Sequence, residues 1–375
     1  MTVKIEKIDL TNKKDLNRFI NLPWKIYKND PKWVPPLKMA VKDVLNVKKH
    51  PFYKTAEVEA YIASINNEDV GRILAVNNIA YNEYQNTKIG YFGFYETIND
   101  QKVSDALLDA AVKYVKSKGL TSIQGPMNPG TNYECGLLVN GFDDEPQIMM
   151  TYNPQYYITL LENYKLTKAM DLIAYDTPAH FEMPKIIKDI AARTVKKENV
   201  TFRNVNMKKW KQELDLMFDI YNSAWEKNWG FVPMTKEEFL HTAKDLKSII
   251  NPELVQIAEV QGKAAGFILT LPDLNQVFKQ IPSGNLSPTA VYKILTAKKR
   301  MTRCRVITMG IKKEYRKMGL ETVLYTHNHE SIKKNPLMNH IEMSWILESN
   351  LEMNKPLIRM GAKPYKTYRI FEKTI

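Results

Sequence analysis

Tyr61-Ile-Ala-Ser-Ile-Asn-Asn-Glu-Asp-Val-Gly-Arg-Ile-Leu74 reads as strand, polar turn and strand. The same reading recurs at Gln256-Ile-Ala-Glu-Val-Gln-Gly-Lys-Ala-Ala-Gly-Phe-Ile-Leu269. Ala63 precedes Gly71 as Ala258 precedes Gly266, and the two alanines are 195 residues apart. Further on, Lys168-Ala-Met-Asp-Leu-Ile-Ala-Tyr175 resembles Lys363-Pro-Tyr-Lys-Thr-Tyr-Arg-Ile370, and Lys168 and Lys363 are again 195 apart. Two matches at one offset predict a duplicated domain, since a solenoid would repeat every ~20–50 residues.

Each copy continues in the same way. After the first hairpin, Ile89–Tyr95 is an aromatic-rich strand. Ser104–Lys118 then places Leu107, Leu108, Ala111, Tyr114 and Val115 on one helical face, with Ser104 as its cap and Gly119 as its stop. In the second copy Arg305–Ile311 predicts a strand, Glu321–Lys334 a helix and Ile341–Ile346 a strand. Between the copies, Asp176–Asn199 carries Pro178 and Pro184 and then a basic helix. The expectation is an α/β fold with mixed sheet, in two tandem domains of residues 1–180 and 181–375.

A length of 375 residues suits two cores better than one. No apolar run approaches the ~20 residues of a membrane-spanning helix, and the N-terminus has no apolar leader. Cys135 and Cys304 are the only cysteines and the six histidines are scattered, so no metal is expected and a reducing, cytoplasmic compartment fits best. The net charge of +13 asks for an anionic partner: nucleic acid, an anionic membrane face, or a polyphosphate cofactor. A lysine-rich surface that merely keeps the protein in solution explains it equally well, because the lysines form no block.

The strand ending in Met309 and Ile311 runs through Lys312-Lys-Glu-Tyr-Arg316 into Lys317-Met318-Gly319-Leu320-Glu321-Thr322, where the helix opens. A glycine-bearing turn at a helix start leaves backbone N–H groups pointing outward at the positive end of the dipole, which binds phosphate. Arg316-x-x-Gly319 resembles the pyrophosphate loop of the GNAT superfamily of N-acyltransferases, Gln/Arg-x-x-Gly-x-Gly/Ala, with Glu321 departing from its last position. The resemblance implies acetyl-CoA or a longer acyl-CoA as co-substrate, held by residues 312–322. It also implies cofactor contacts from Met309, Ile311 and Asn350 and a catalytic role for Glu348 after the next strand, although Glu348 and Asn350 equally suit helix capping. Many members place a general-acid tyrosine where this chain has Leu357. The first copy has no such loop: Tyr95–Ser104 is acidic and lacks Arg-x-x-Gly.

Gly125–Phe142 is a long loop holding Asn128, Thr131, Asn132, Tyr133, Glu134 and Cys135. An amine must lose a proton before it attacks a thioester, so Glu134 is the candidate base, with Asn132 and Tyr133 orienting the substrate. A burial among Tyr133, Cys135 and Leu137 would raise its pKa. The competing reading is an Ω-loop whose polar residues only make turns. Leu22–Pro36, Thr151–Tyr157 and Tyr221–Pro233 pack aromatics between prolines, as a substrate groove or as ordinary packing. Leu22–Pro36, Gly125–Phe142, Asn228–Pro233 and Ser344–Asn350 together resemble a bacterial subgroup of tandem GNAT proteins to which bacterial ceramide synthases are similar. That implies a small-molecule or lipid amine as acceptor, possible peripheral contact with an anionic inner membrane face, and nucleic acid as an unlikely partner. An aminoacyl-tRNA-dependent ligase on the same tandem fold and a non-catalytic acyl-CoA or lipid-binding protein are the alternatives. Oligomeric state is not legible.

Overall fold

The computed structural model describes residues 2–226, 228–247, 249–297 and 300–375; Lys227, inside the Tyr221–Pro233 segment, lies outside them. Contacts divide the chain into two units. Unit 1 holds the residues up to Leu172, then Val277–Tyr292 and Lys366–Ile375; unit 2 holds Ile173–Gln276 and Lys293–Tyr365.

The first unit opens with β1 (Lys4–Ile8), α1 (Lys13–Ile26), α2 (Lys38–Val44), β2 (Ala56–Ile65), β3 (Glu68–Asn78), α3 (Ile79–Gln85), β4 (Ile89–Thr97) and α4 (Gln101–Ser117). There follow β5 (Ser122–Gly125), β6 (Met127–Asn128), β7 (Glu134–Cys135), β8 (Leu137–Asn140), α5 (Tyr156–Asn163) and β9 (Thr167–Pro178), whose last six residues belong to unit 2. Unit 2 continues with α6 (Lys185–Glu198), β10 (Val200–Asn204), α7 (Trp210–Ala224), α8 (Lys236–Leu246), β11 (Val255–Val260), β12 (Lys263–Pro272) and α9 (Asn275–Phe278). Then come α10 (Pro288–Leu295), β13 (Arg303–Ile311), α11 (Leu320–Lys333), β14 (His340–Leu347), α12 (Leu351–Met360) and β15 (Lys363–Thr374).

The repeated stretches are hairpins of one register. Ala63 pairs with Gly71 and Ala258 with Gly266, and each hairpin shifts register at the very next residue, Ser64 or Glu259. Both glycines sit under a helix. A Cβ on Gly71 would fall 2.7 Å from Leu107 of α4, and one on Gly266 3.4 Å from Leu324 of α11. In unit 1 the order is β1-β2-β3-β4-β5, and the sheet is completed by the chain's last strand, with Phe371 opposite Gly125. In unit 2 β10-β11-β12-β13-β14 run in order, antiparallel except for the parallel β13–β14 pair, and β9 lies beside β14. Helix α7 packs on β12 and β13, and α11 packs on β11, β12 and α6.

One boundary differs from the sequence reading. Helix α4 starts at Gln101 because Asp100 accepts the Lys102 and Val103 N–H groups. Ser104 is therefore inside the helix, buried, and shares a 2.7 Å hydrogen bond with the Tyr95 hydroxyl. A carboxylate four residues upstream outcompetes the serine as cap.

Candidate active site

In unit 2 the parallel ladder of β13 and β14 runs from Arg303 opposite His340 to Val306 opposite Met343. Beyond that pair β13 continues to Ile311 and β14 to Leu347 without pairing to each other, so the two strands part. The parting coincides with a register shift between β12 and β13, where Leu269 faces Thr308 and Thr270 faces Val306. The extra residue, Ile307, reverses the alternation. As a result Val306 belongs to the unit's core and Met309 and Ile311, half-buried, pack against the same core.

The chain then turns into α11 through Lys317 (φ 67°) and Gly319 (φ 78°). No side chain caps this helix, and a Cβ on Gly319 would fall 3.2 Å from Thr194 Oγ1. Its first-turn N–H groups, on Leu320, Glu321 and Thr322, are thus left to solvent or a ligand at the positive end of the dipole. Leu320 is buried and Met318 half-buried against the core, whereas Lys317 is exposed. Arg316 turns away from the helix start. Its guanidinium donates at 2.9 Å to the Ser223 and Ala224 carbonyls, at the C-terminal end of α7. Asn350 caps α12, accepting the Met353 N–H at 3.2 Å, and the backbone carbonyl of Glu348 accepts from Asn354. Leu357 is fully buried in α12.

Where the strands part, a charged cluster is enclosed. Arg305 donates to Ser344 Oγ at 2.7 Å and lies 3.6 Å from Glu342; Ser344 and Tyr365 both donate to the Glu342 carboxylate. Arg305 and Glu342 are register partners one step before Val306 and Met343, so the two pairs take opposite faces of the sheet.

Unit 1 treats the equivalent opening differently. Its parallel β4–β5 ladder runs from Ile89 opposite Ser122 to Tyr91 opposite Gln124, and β4 then continues to Thr97. The 126–136 loop occupies the space beside it. Asn128 accepts the Phe94 N–H at 2.6 Å, and a Cβ on Gly93 would fall 1.7 Å from the Met127 carbonyl oxygen. With the gap filled and α4 capped by Asp100, the equivalent place in unit 1 offers neither a strand opening nor a bare helix start.

The loop itself is ordered by β6 and β7, with Asn128 opposite Glu134 and Met127 opposite Cys135. Tyr133 packs on His50 and Phe52, at 5.7 and 5.6 Å between ring centres. Asn132 is half-buried, and Glu134 is exposed. The expected burial of Glu134 is therefore not found, because alternation along β7 turns Cys135 inward and its neighbour outward. Thr151 Oγ1 donates to the Gly136 carbonyl and Asn153 accepts the Leu138 N–H, both at 2.7 Å, which ties the loop to Thr151–Tyr157. The Leu22–Pro36 segment joins them: Tyr27 stacks on Trp33 at 5.0 Å, and Tyr152 donates to Asp30.

No family model matches the chain. It is 34% identical over 375 residues to Protein YghO of Escherichia coli K12, covering 97% of this chain and 94% of that protein. It is also 34% identical to a bacterial ceramide synthase of Caulobacter vibrioides, over 96% of this chain and 95% of the relative. A solved tandem GNAT protein from the clavulanic acid biosynthesis pathway superposes with a TM-score of 0.58, covering 100% of this chain and 98% of that one. At 9% identity that likeness concerns the fold. The chain belongs to the family of these two relatives, Protein YghO and the bacterial ceramide synthase. Its fold is that of the tandem GNAT proteins.

Two polar centres of the structure have no counterpart in the sequence reading. Glu342 interrupts an apolar strand, Ile341-Glu-Met-Ser-Trp-Ile-Leu347, and that interruption was the available signal. Glu96 lay in a stretch noted only as acidic. It accepts from Tyr27 at 2.9 Å and Tyr157 at 2.8 Å and lies 3.7 Å from Arg72, whose guanidinium also reaches the Phe19 carbonyl. Burial pushes the Glu96 carboxyl above the usual range, against the pull of Arg72 and the two tyrosines. Two of the aromatic segments, Leu22–Pro36 and Thr151–Tyr157, thus converge around a carboxylate supplied by β4. Among the described residues no helix is long and apolar enough to cross a membrane.

Proposed function

We propose that this protein transfers an acyl group from an acyl-CoA thioester to an amine, and that the amine is a lipid amine of sphingoid type. The observation that carries the reading is the opening between β13 and β14 beside the uncapped, glycine-led start of α11. The opening suits an extended pantetheine arm, and the helix start suits the pyrophosphate. Backbone N–H groups of Leu320, Glu321 and Thr322 would hold the phosphates, with Lys317 and Lys312 adding charge. Gly319 keeps Thr194 clear of the approach. The donor supplies the activated acyl carbon, and the chain's task is to align an amine with it. The lipid acceptor is supported by the 34% identity to a protein named bacterial ceramide synthase, and a charge of +13 suits contact with an anionic leaflet.

Glu134 is proposed to receive the ammonium and take its proton, directly or through water. Its exposure on an ordered ribbon leaves the carboxylate accessible to a cationic group. The test is calorimetric titration with CoA and palmitoyl-CoA, followed by thiol release from palmitoyl-CoA in the presence of sphinganine. Saturable binding and amine-dependent thiol release are expected; heat-silent titrations with both ligands defeat the proposal.

A further inference from the structure

The two copies share hairpin, helix and register, yet their interiors are built from different side chains. In unit 1 the cluster over β2–β5 and α4 is made of Ile, Val, Leu, Ala and aromatic residues, and the unit's buried methionines, Met127, Met150 and Met170, lie outside it. The corresponding core of unit 2 buries Met183, Met338, Met343 and Met360, and Met309, Met318 and Met353 pack half-buried against it. Unbranched methionine side chains adapt to irregular and changing shapes, whereas β-branched and aromatic ones fix a single packing.

The methionines also have a place in the fold. Met309 stands on β13 beyond the point where it leaves β14, and Met318 stands in the loop that leads into α11. Val306 and Met343, the last paired positions, line a cavity of about 30 Å³ bordered by α11, α12 and the sheet, with Leu357 and Met360 on its helical side. Thr177 and His329 line the same cavity, and both carry a buried polar atom without a partner, Oγ1 and Nδ1. His329 Nε2 meets the Ala179 carbonyl at 3.1 Å, so that nitrogen donates and Nδ1 keeps its lone pair; burial holds the ring's pKa below the ordinary value. A void with unpaired polar atoms in its wall destabilises a core. Such a cost persists where water in the empty state and a ligand in the filled one offset it. Leu357 adds a further apolar side chain to the cavity wall.

We propose that the methionine-lined interior of unit 2, entered between the parted strands β13 and β14 and continued by the cavity beneath α11 and α12, receives the aliphatic chain of the acyl donor. The void alone takes about one water molecule, so the chain enters by displacing methionine side chains rather than by filling a preformed tunnel. This inference rests on the acyl-CoA reading, and its test keeps the two apart.

Calorimetric titrations with CoA, palmitoyl-CoA and sodium palmitate are made on the wild-type chain and on Met360→Trp, which fills the cavity from α12. Palmitoyl-CoA should bind wild type on the order of ten-fold tighter than CoA or better, each buried methylene contributing. Met360→Trp should remove that advantage and leave CoA affinity where it was. Should Met360→Trp fail to fold, as judged by its thermal midpoint, Met343→Phe on the strand side carries the same expectation. CoA binding with no gain from the palmitoyl chain, or a gain that survives the filled cavity, overturns the pocket and spares the acyl-transfer reading. Palmitate binding that Met360→Trp abolishes, with no affinity for CoA, supports the pocket and sinks the donor reading.

Discussion

At the scale of single residues, two carboxylates with contrasting surroundings make contrasting predictions. Glu134 is exposed on β7, and Glu134→Gln keeps its shape while removing the base. Turnover should fall by ~10²–10⁴ with CoA affinity unchanged. Wild-type thiol release from a folded Glu134→Gln protein would leave Glu134 a turn-making residue. Glu96 is enclosed by Tyr27, Tyr157 and Arg72, with its pKa raised by burial. A carboxyl whose folded pKa exceeds its unfolded one contributes stability below the unfolded value, and loses it as pH rises through the folded value. The thermal midpoint of wild type, measured relative to Glu96→Gln, should therefore fall as pH climbs above the ordinary carboxylate range; a pH-independent difference would mean that Glu96 titrates normally. Arg316 poses a third question. Its two bonds to the end of α7 make Arg316→Ala a destabilising change of about 1.5–3 kcal/mol by urea titration, with CoA affinity lowered through the displaced loop. Weaker CoA binding at full stability would show instead that the guanidinium leaves α7 to meet phosphate.

At the scale of elements, the helix start after β13 is the most exacting piece. Gly319 adopts a left-handed φ of 78° with Thr194 at 3.2 Å from its would-be Cβ. Gly319→Val pays for that conformation with about 1–2 kcal/mol, and pushes Thr194 into the space above the first turn. A lower thermal midpoint and a loss of CoA binding heat are both expected; intact binding would move the phosphate site off α11. The pattern of residues announced this element, because strand, Arg-x-x-Gly and helix follow one another in sequence. Capping was harder to read. Asp100 and Ser104 are both good caps; the Asp100 carboxylate takes the Lys102 and Val103 N–H groups, and Ser104, inside the helix, pairs with the Tyr95 hydroxyl instead.

For the whole molecule, the division of the chain has a consequence for its folding. Unit 1 is completed by Lys366–Ile375, where Tyr368, Ile370 and Phe371 are buried and Phe371 pairs with Gly125. It also takes Val277–Tyr292, whose Gly284 accepts the Lys38 N–H at 2.8 Å and whose Pro282 accepts from Trp24 at 2.7 Å. Deleting Lys366–Ile375 should therefore unfold the first unit although every residue removed is at the far end of the chain. Circular dichroism melts and limited proteolysis will check this; cooperative melting of the truncated protein with native protection of residues 2–172 would refute it.

What the residues alone determined is local or periodic: the hairpins with Ala63–Gly71 and Ala258–Gly266 in one register, the helices, the glycine turn before α11 and the duplication that contains them. These depend on spacing along the chain and on backbone preferences that neighbours in sequence enforce. Tertiary structure alone decided which strands part and which openings are filled. Asn128 closes the gap beside β4 from 34 residues away. It also decided which carboxylates are enclosed, bringing Tyr27 and Tyr157 to Glu96 across 69 and 61 residues. Burial and partnership are set by contacts between distant segments, and no periodicity along a single chain records them.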